Sequence, residues 1–226
     1  MKSNESFFNF PNFLMFKKIE NPIFTISVIH FLLLSGYKLF SLYYPLFLDL
    51  KGLSLFNVGL NYFILYFCVG LFSLLFLFIK KGNIKFFLSI SVLGYAFYSI
   101  SMLFISTLFQ FLSMQILLGF FSSLFYISAR DVILFKTKAR TSDFQYFYLA
   151  ALVSAILAPI VGGILISVGN FTLVFLSSIL IYFVSLLPIS KLEKVEFLEE
   201  KIKHSFLKET DHHLQSKQMF LSLIHI

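Results

Sequence analysis

Long apolar stretches separated by short polar segments run through most of the chain. A membrane-spanning helix needs about 20 apolar residues, and these stretches predict six spans, at about 23–48, 55–79, 84–106, 108–129, 144–168 and 171–187. The third and fourth come from one uncharged run, 86–129, which is about twice the length that the hydrocarbon core accommodates. We expect that run to break near 106–110. The pattern therefore predicts an all-α, polytopic membrane helix bundle of about six transmembrane helices.

The basic residues indicate which side of the membrane each loop occupies. They cluster before the first span, between the second and third, between the fourth and fifth, and after the sixth, whereas the loops on the other side carry only Lys51. Cytoplasmic loops are enriched in Lys and Arg. The distribution predicts that the segments 1–22 and 190–226 are both cytoplasmic. It also accounts for the net charge of +7 without nucleic acid as a partner.

The composition agrees with a membrane protein and narrows the chemistry. Hydrophobic residues make up 58% of the chain and charged residues 13%, whereas a soluble domain is closer to half apolar and a quarter charged. The single cysteine, Cys68, excludes a disulfide framework and a cysteine-based metal site. His204, His212 and His213 have no carboxylate or cysteine arranged around them, so we expect no metal and no cofactor.

The C-terminal segment alternates Glu and Lys and carries a helical apolar stripe. This pattern is typical of a solvated or membrane-surface helix. A new apolar run, 219–226, then begins. That run is either the start of a seventh span or the read-through of a sequencing adaptor, and both interpretations predict that the natural protein continues beyond Ile226.

Small residues are concentrated in the fifth predicted span. Ser154, Ala158 and Gly162 recur at i, i+4 and i+8 and form one face, with Pro159 and Gly163 beside them. Membrane helices tolerate Pro and Gly because their neighbours re-satisfy the freed backbone groups, and small residues let a second helix approach closely. We therefore predict a kinked helix whose small-residue face packs against a neighbour. The stretch resembles the fifth-helix motif of the major facilitator superfamily, small-x-x-x-Gly-Pro-x-x-Gly-Gly, with Ala158 at a position that is usually Gly.

Three further places resemble the same family. Gly52-Leu53-Ser54 is similar to the outer turn between its first two helices. Lys80-Lys81-Gly82 has the position and basic charge of its motif between helices two and three, although Asn83 replaces the arginine that follows. In the fourth span, 115–123 resembles Arg-x-x-Gln-Gly-x-Gly-Ala-Ala, with Gln115 at the Arg position and Gly119 at a glycine position.

The resemblance covers the domain 23–189 and implies the N-terminal six-helix half of a transporter. Such proteins contain two six-helix halves, with the substrate site between them near the bilayer midplane. The resemblance implies a solute transporter of the cell membrane that works by alternating access and is not an enzyme. An aromatic, weakly charged cavity would suit the efflux of small amphipathic or anionic compounds. The expected partners are membrane lipid, a small-molecule substrate and the missing C-terminal six-helix half.

Two ionisable residues, His30 and Lys38, lie inside the first predicted span, on one helix face. Charges within a span cost roughly 2.5–3.5 kcal/mol on insertion scales and usually face a cavity or a partner. The resemblance places this helix on the substrate cavity. Lys38 either attracts an anionic substrate or reaches the outer interface beside Tyr37, Tyr43 and Tyr44. His30 is either its titratable partner or a hydrogen-bonded core histidine.

A polar stripe follows the fourth predicted span. Gln115, Gly119, Ser122 and Tyr126 recur at i, i+4, i+7 and i+11. The resemblance places this helix on the cavity too, which makes Gln115, Ser122 and Tyr126 candidates for substrate contact. Interhelical hydrogen bonding is the alternative. Arg130, at the cytoplasmic end of the stripe, is interpreted as an interfacial anchor.

An intramembrane enzyme and a channel subunit are the alternative functions. A rhomboid-type protease needs a Gly-x-Ser motif in a span, and the predicted spans contain none. A CAAX-type protease needs paired glutamates in the membrane, whereas Glu199 and Glu200 lie in the tail. The chain also has no Asn-Pro-Ala pair, carbonyl-filter sequence or Arg-rich voltage helix.

Overall fold

Six helices make up the part of the protein that the structure describes. The structure, a computed structural model, describes residues 22–76, 78, 82–136 and 141–192. The helices are α1 (Pro22–Ser41), α2 (Tyr44–Leu50), α3 (Leu55–Phe76), α4 (Ile84–Met102), α5 (Leu108–Lys136) and α6 (Thr141–Lys191). All but α2 are long and apolar enough to cross a membrane. The prediction of an all-α, multi-pass membrane protein is confirmed, while the two terminal segments lie outside the described residues.

The first predicted span contains a break that its apolar pattern did not indicate. α1 ends at Ser41 and α2 begins at Tyr44, with Pro45 in its first turn. Proline has no N–H to donate to the carbonyl four residues earlier, which is that of Ser41. The hydroxyl of Tyr62 donates to this carbonyl instead, at 3.2 Å. The chain therefore turns within the run 23–48 without leaving this carbonyl unsatisfied.

Side-chain caps fix two of the other helix boundaries. The Asn83 side chain accepts hydrogen bonds from two backbone N–H groups in the first turn of α4, at 3.0 and 3.4 Å. The Gln110 side chain reaches back to the backbone N–H groups of Ser106 and Thr107, at 3.0 and 3.1 Å. Such contacts satisfy donors that a helix start leaves free. The predicted break at 106–110 is therefore present, and α5 continues from it to Lys136, beyond the predicted end at 129.

α6 is broken at Gly169 and Asn170, where the fifth and sixth predicted spans meet. Asn170 has φ 60° and ψ −170°, a combination that residues other than glycine rarely adopt. Its Oδ1 accepts the N–H of Thr172 at 2.8 Å. A straight helix of 51 residues would be about 75 Å long, against about 30 Å of hydrocarbon. The break divides this length into two halves.

Contacts with α1 show that the chain reverses direction at this break. In the first half, Phe147 stacks on His30 and Gly162 lies against Leu39. The residue numbers rise together, so this half runs parallel to α1. In the second half, Ser178 donates a hydrogen bond to the Gly36 carbonyl at 2.8 Å, after Phe175 has passed Phe40 and Phe47. The numbers now run in opposite directions, so this half is antiparallel to α1.

The same comparison gives the directions of the other long helices. α4 runs parallel to α1, α5 runs antiparallel to α1, and α3 runs parallel to α5. For α1 and α4 the contacts are Tyr37–Tyr95 and Phe40–Tyr98. For α5 against α1 and the α2 that follows it, they are His30–Phe125 and Phe47–Phe111. For α3 and α5 they are Leu65–Gly119 and Val69–Ser123. Three segments therefore point one way and three the other. Lys85, at the start of α4, accordingly reaches the end of α6, where its ammonium donates to the carbonyls of Ser190 and Leu192.

α1 is the most buried of the long helices, whereas α3 is largely exposed. α1 contacts α4, α5 and both halves of α6. α3 buries one narrow stripe, Val58, Asn61, Leu65 and Cys68, at the spacing of a single helix face. Its other faces expose large apolar side chains, which a bilayer would cover.

Candidate functional site

A buried hydrogen-bond network joins four helices around Gln115. Its Nε2 donates to the hydroxyls of Tyr44 and Tyr98, at 2.6 and 3.1 Å. The Tyr44 hydroxyl donates in turn to Oδ1 of Asn61 at 3.2 Å. Gln115 is only 2% exposed, and its Oε1 has no hydrogen-bond partner within the described part of the chain. The side chain therefore faces the interior of the bundle and links α2, α3, α4 and α5.

Ser122 makes a second buried contact between helices. Its hydroxyl lies 2.7 Å from that of Tyr95 and also donates to the carbonyl of Leu118 at 2.7 Å. Gln115 and Ser122 thus make interhelical hydrogen bonds, which were the predicted alternative to substrate contact. From the sequence, Tyr44 was named only as a neighbour of Lys38, and Tyr95 and Tyr98 were not singled out. A signal was present, because a tyrosine hydroxyl inside a span needs a polar partner.

His30 is buried where α1 meets α5 and the first half of α6. Its ring stacks on Phe147, with 3.9 Å between the ring centroids, and lies edge-on to Tyr126 at 5.8 Å. Nδ1 is 3.0 Å from the Phe147 carbonyl. A carbonyl only accepts, so Nδ1 carries the proton and donates. Nε2 is buried and has no hydrogen-bond partner among the described residues.

Lys38 is half-buried on α1 and is not brought together with His30. Its Nζ lies 5.7 Å from the centroid of the Tyr37 ring, a cation–π distance. Tyr37 is one of the residues that would help Lys38 to reach the interface. The structure therefore joins Lys38 to the neighbour that the snorkelling interpretation names, and its role toward substrate stays a prediction.

A cleft of about 450 Å³ opens between α3, α5 and the first half of α6. Small-molecule sites usually enclose about 300–1,000 Å³ and combine apolar walls with a few polar groups. This cleft has that character, because aromatic rings form much of its wall. The residues used below are Gly70 and Ser73 of α3, Tyr126 and Arg130 of α5, and Phe147 and Tyr148 of α6.

Tyr126 is the predicted cavity residue that lines this cleft, and its side chain is 41% exposed. Phe147 forms the adjoining part of the wall. Both rings also contact the His30 ring. They therefore separate the cleft from a buried imidazole whose Nε2 has no partner among the described residues.

Arg130 brings a positive charge into the wall of the cleft. Its side chain is half exposed, and its Nε lies 3.6 Å from Oδ1 of Asp131. This ion pair engages Nε, and a guanidinium has four further N–H donors, so Arg130 can still bind a second anion. From the sequence, Arg130 is interpreted as an interfacial anchor. The cleft has no signal in the sequence, because it forms only when α5 and the first half of α6 come together at His30 of α1.

The small-residue face of α6 packs against α1, and the predicted helix contact is present. Ser154 and Ala158 are buried. A Cβ atom on Gly162 would overlap the backbone carbonyl of Leu39. The backbones of α1 and α6 therefore touch at a point where no side chain fits.

Two further glycines of the motifs also lie at helix contacts. A Cβ on Gly163 would lie 2.5 Å from the Tyr43 hydroxyl, which donates to the Pro159 carbonyl at 3.1 Å. A Cβ on Gly119 would lie 2.7 Å from Cβ of Cys68, so this glycine lets α5 approach α3. The conformational roles of these residues stay predictions.

The basic loop motif is described only at its last residue. Gly82 directly precedes the cap of α4, whereas Lys80 and Lys81 lie outside the described residues. Across the parts of the chain that are described, no three His, Cys, Asp or Glu side chains form a group that could hold a metal ion.

Comparisons with protein families, with curated proteins and with solved structures found no match to this chain. The major-facilitator resemblance therefore depends on the motifs of the sequence alone.

Proposed function

We propose that the protein is the N-terminal six-helix unit of a solute transporter of major-facilitator type. In this proposal the chain crosses the cell membrane six times, with both ends in the cytoplasm. It binds a small amphipathic or anionic compound on the face that carries the cleft. Transport proceeds by alternating access, as this unit rocks against a second six-helix unit.

The order of helix directions is the observation that carries the proposal. α1, α4 and the first half of α6 point one way, and α3, α5 and the second half of α6 point the other, as the side-chain contacts above establish. The reversal at Asn170 supports six crossings rather than five. The contact between Lys85 and the end of α6 supports a bundle whose chain enters and leaves at the same side.

The exposed faces around the cleft support a second unit. α3 and the first half of α6 flank the cleft and expose rows of large apolar side chains, such as Phe67 and Leu71 on α3 and Leu152 and Ile156 on α6. Alternating access needs two units that meet around the substrate site. The two-unit architecture is proposed by analogy with the major-facilitator fold, whereas the binding of a substrate is argued from the residues that line the cleft.

The surroundings of His30 favour a transporter over an intramembrane hydrolase. A serine or cysteine nucleophile is activated by a base within hydrogen-bond reach. Nε2 of His30 has no such partner among the described residues, and Nδ1 is bonded to a backbone carbonyl. We therefore propose that the protein is not an enzyme.

A counterflow experiment tests the proposal. The natural gene product, including any sequence encoded after Ile226, is placed in vesicles that contain unlabelled naphthalene-2-sulfonate or a quaternary amine with the same ring. A carrier should take up the labelled form of the same compound faster into loaded vesicles than into empty ones. The reason is that the unlabelled compound inside occupies the site when the site returns to the outside. The 226-residue chain alone should not transport. Equal uptake into loaded and empty vesicles for both compounds would contradict a carrier and favour a channel or no transport.

A further inference from the structure

We propose that the cleft between α3, α5 and the first half of α6 binds an organic anion with a flat apolar body, and that Arg130 holds the anionic group. This inference rests on the proposed function and names the substrate class of that site. The occupant is a soluble carboxylate, sulfonate or phosphate ester that carries an aromatic ring system.

The wall of the cleft suits a flat apolar body. Phe147, Tyr148 and Tyr126 present three aromatic rings from two helices. Opposite them, Gly70 has nothing within 4 Å of where a Cβ would lie, so a ring can approach the backbone of α3 there. Aromatic rings associate by offset stacking or edge-to-face contact. A volume of about 450 Å³ holds a fused ring with its polar substituent.

The charge of the wall selects an anion. Arg130 is the only charged side chain among the described residues that line the cleft. Asp131 lies beside it, outside the wall, and pairs with its Nε at 3.6 Å, which leaves the terminal nitrogens of the guanidinium for a second anion. The planar fork of arginine matches two oxygens of a carboxylate, sulfonate or phosphate. The hydroxyl of Ser73 adds a donor on the facing helix.

A phospholipid head group shares the anionic chemistry, but the cleft fits a soluble ligand better. Its inner wall includes Phe147, which is 5% exposed, and Ile133, which is fully buried. A two-chain lipid would place only its head group in this space. It would leave the aromatic surface without a matching ring.

Equilibrium binding to the 226-residue chain in phosphatidylcholine nanodiscs tests this inference. Naphthalene-2-sulfonate should bind about tenfold or more tightly than the neutral naphthalene-2-sulfonamide, because the amide lacks the charge that arginine holds. Arg130→Gln should weaken sulfonate binding by a similar factor and leave sulfonamide binding unchanged. The matched control is Lys191→Gln, which removes an exposed cation at the same end of the bundle, outside the cleft, and should bind like the unaltered protein.

A second variant keeps the test decisive if Arg130→Gln does not fold. Gly70→Phe fills the cleft from α3, where nothing crowds the added side chain, and should abolish binding of both compounds. Unchanged sulfonate binding in either cleft variant would overturn the inference, as would an equal loss in Lys191→Gln. Loss of sulfonate binding when phosphatidylglycerol is added to the nanodisc would show a lipid head group as the occupant and would also overturn it.

This binding experiment separates the inference from the proposed function. Equilibrium binding does not require transport, so Arg130-dependent binding without counterflow would contradict the transporter and keep the site. If Arg130→Gln leaves counterflow unchanged, the transporter proposal would stand and the proposed anion site would be contradicted.

Discussion

Gly162 of α6 lies against the backbone carbonyl of Leu39 in α1, so closely that any side chain at position 162 would overlap the carbonyl oxygen. A crowded side chain can rotate away, but a carbonyl inside a helix cannot move without its helix. The distance between α1 and the first half of α6 is therefore set by the absence of a side chain at this position.

Replacing Gly162 with Ala should destabilise the bundle, since the added methyl group must push the two backbones apart. Overpacking of this kind costs about 1–3 kcal/mol. The free energy of unfolding in mixed micelles, measured by titration with dodecyl sulfate, would report the loss. The control is Gly59→Ala, because nothing lies within 4 Å of a Cβ there and Ala favours a helix over Gly by about 1 kcal/mol. Equal stability of the two variants would contradict the backbone contact.

In the natural full-length protein, Gly162→Leu should reduce transport while the protein still reaches the membrane. The reason is that a side chain at position 162 would force α1 and the first half of α6 apart and block any adjustment between them during transport. Ile164→Leu is the control, since Ile164 lies on the same helix and is 59% exposed. Uptake in vesicles, normalised to the amount of protein, provides the measurement. Normal transport by Gly162→Leu would show that this contact does not move.

Replacing Gln115 with Leu should destabilise the protein by about 1–3 kcal/mol, because the tyrosine hydroxyls of the buried network lose the donor that they share. A double-mutant cycle with Tyr98→Phe should give a coupling of about 0.5 kcal/mol or more. The control, Ser113→Ala, removes a hydroxyl whose hydrogen bond within the described residues is to its own helix, at the Phe109 carbonyl. Its effect should stay within about 0.5 kcal/mol. Additive effects of Gln115→Leu and Tyr98→Phe would argue against the network.

Asn170→Ala should be less stable than Asn170→Gly. Both variants lose the side-chain cap on the N–H of Thr172, but Ala also keeps the strain of a positive φ whereas Gly does not. The expected difference is about 1–3 kcal/mol, again from unfolding in mixed micelles. Ala as stable as Gly would mean that the chain does not turn at position 170 with this backbone conformation.

Cysteines introduced at Lys51 or Asn170, in a Cys68→Ser background, should react with an impermeant maleimide added outside intact cells. Those at Lys81 or Lys138 should react only after the membrane is opened, because the basic loops are predicted to be cytoplasmic. The structure places Lys51 and Asn170 toward one end of the bundle, since Phe47 and Phe171 are in ring contact. Labelling of Lys138 from outside would overturn the predicted orientation.

The all-α class and the approximate positions of the long helices could be predicted from the sequence, because apolar length and the polar residues between runs depend only on local composition. The break before Pro45 was missed, since it lies inside an apolar run and its compensation by Tyr62 comes from another helix. The direction in which Gln115 points could not be predicted either. A polar stripe on α5 has the same spacing whether it faces a cavity or the tyrosines of α2 and α4.

The cleft was beyond prediction for a related reason. Arg130 and Phe147 lie on different helices, and only the approach of both helices to His30 of α1 brings them into one wall. Tyr126, the last member of the polar stripe, lies in the wall of this cleft. The spacing of the stripe did not indicate which of its side chains would stay exposed.

The way α6 passes along α1 and then returns has a consequence for how the protein is made. The hydrogen-bond partner of His30 is Phe147, which is 117 residues later in the chain. The partner of the Gly36 carbonyl is Ser178, which is 142 residues later. At a synthesis rate of about 5–20 residues per second, α1 waits roughly 5–30 s for these partners. Until then α1 lies in the bilayer or the insertion machinery without the partners that pack against its His30 and Gly36 face. Closure of this bundle is therefore a late, post-insertion event that depends on the emergence of α6.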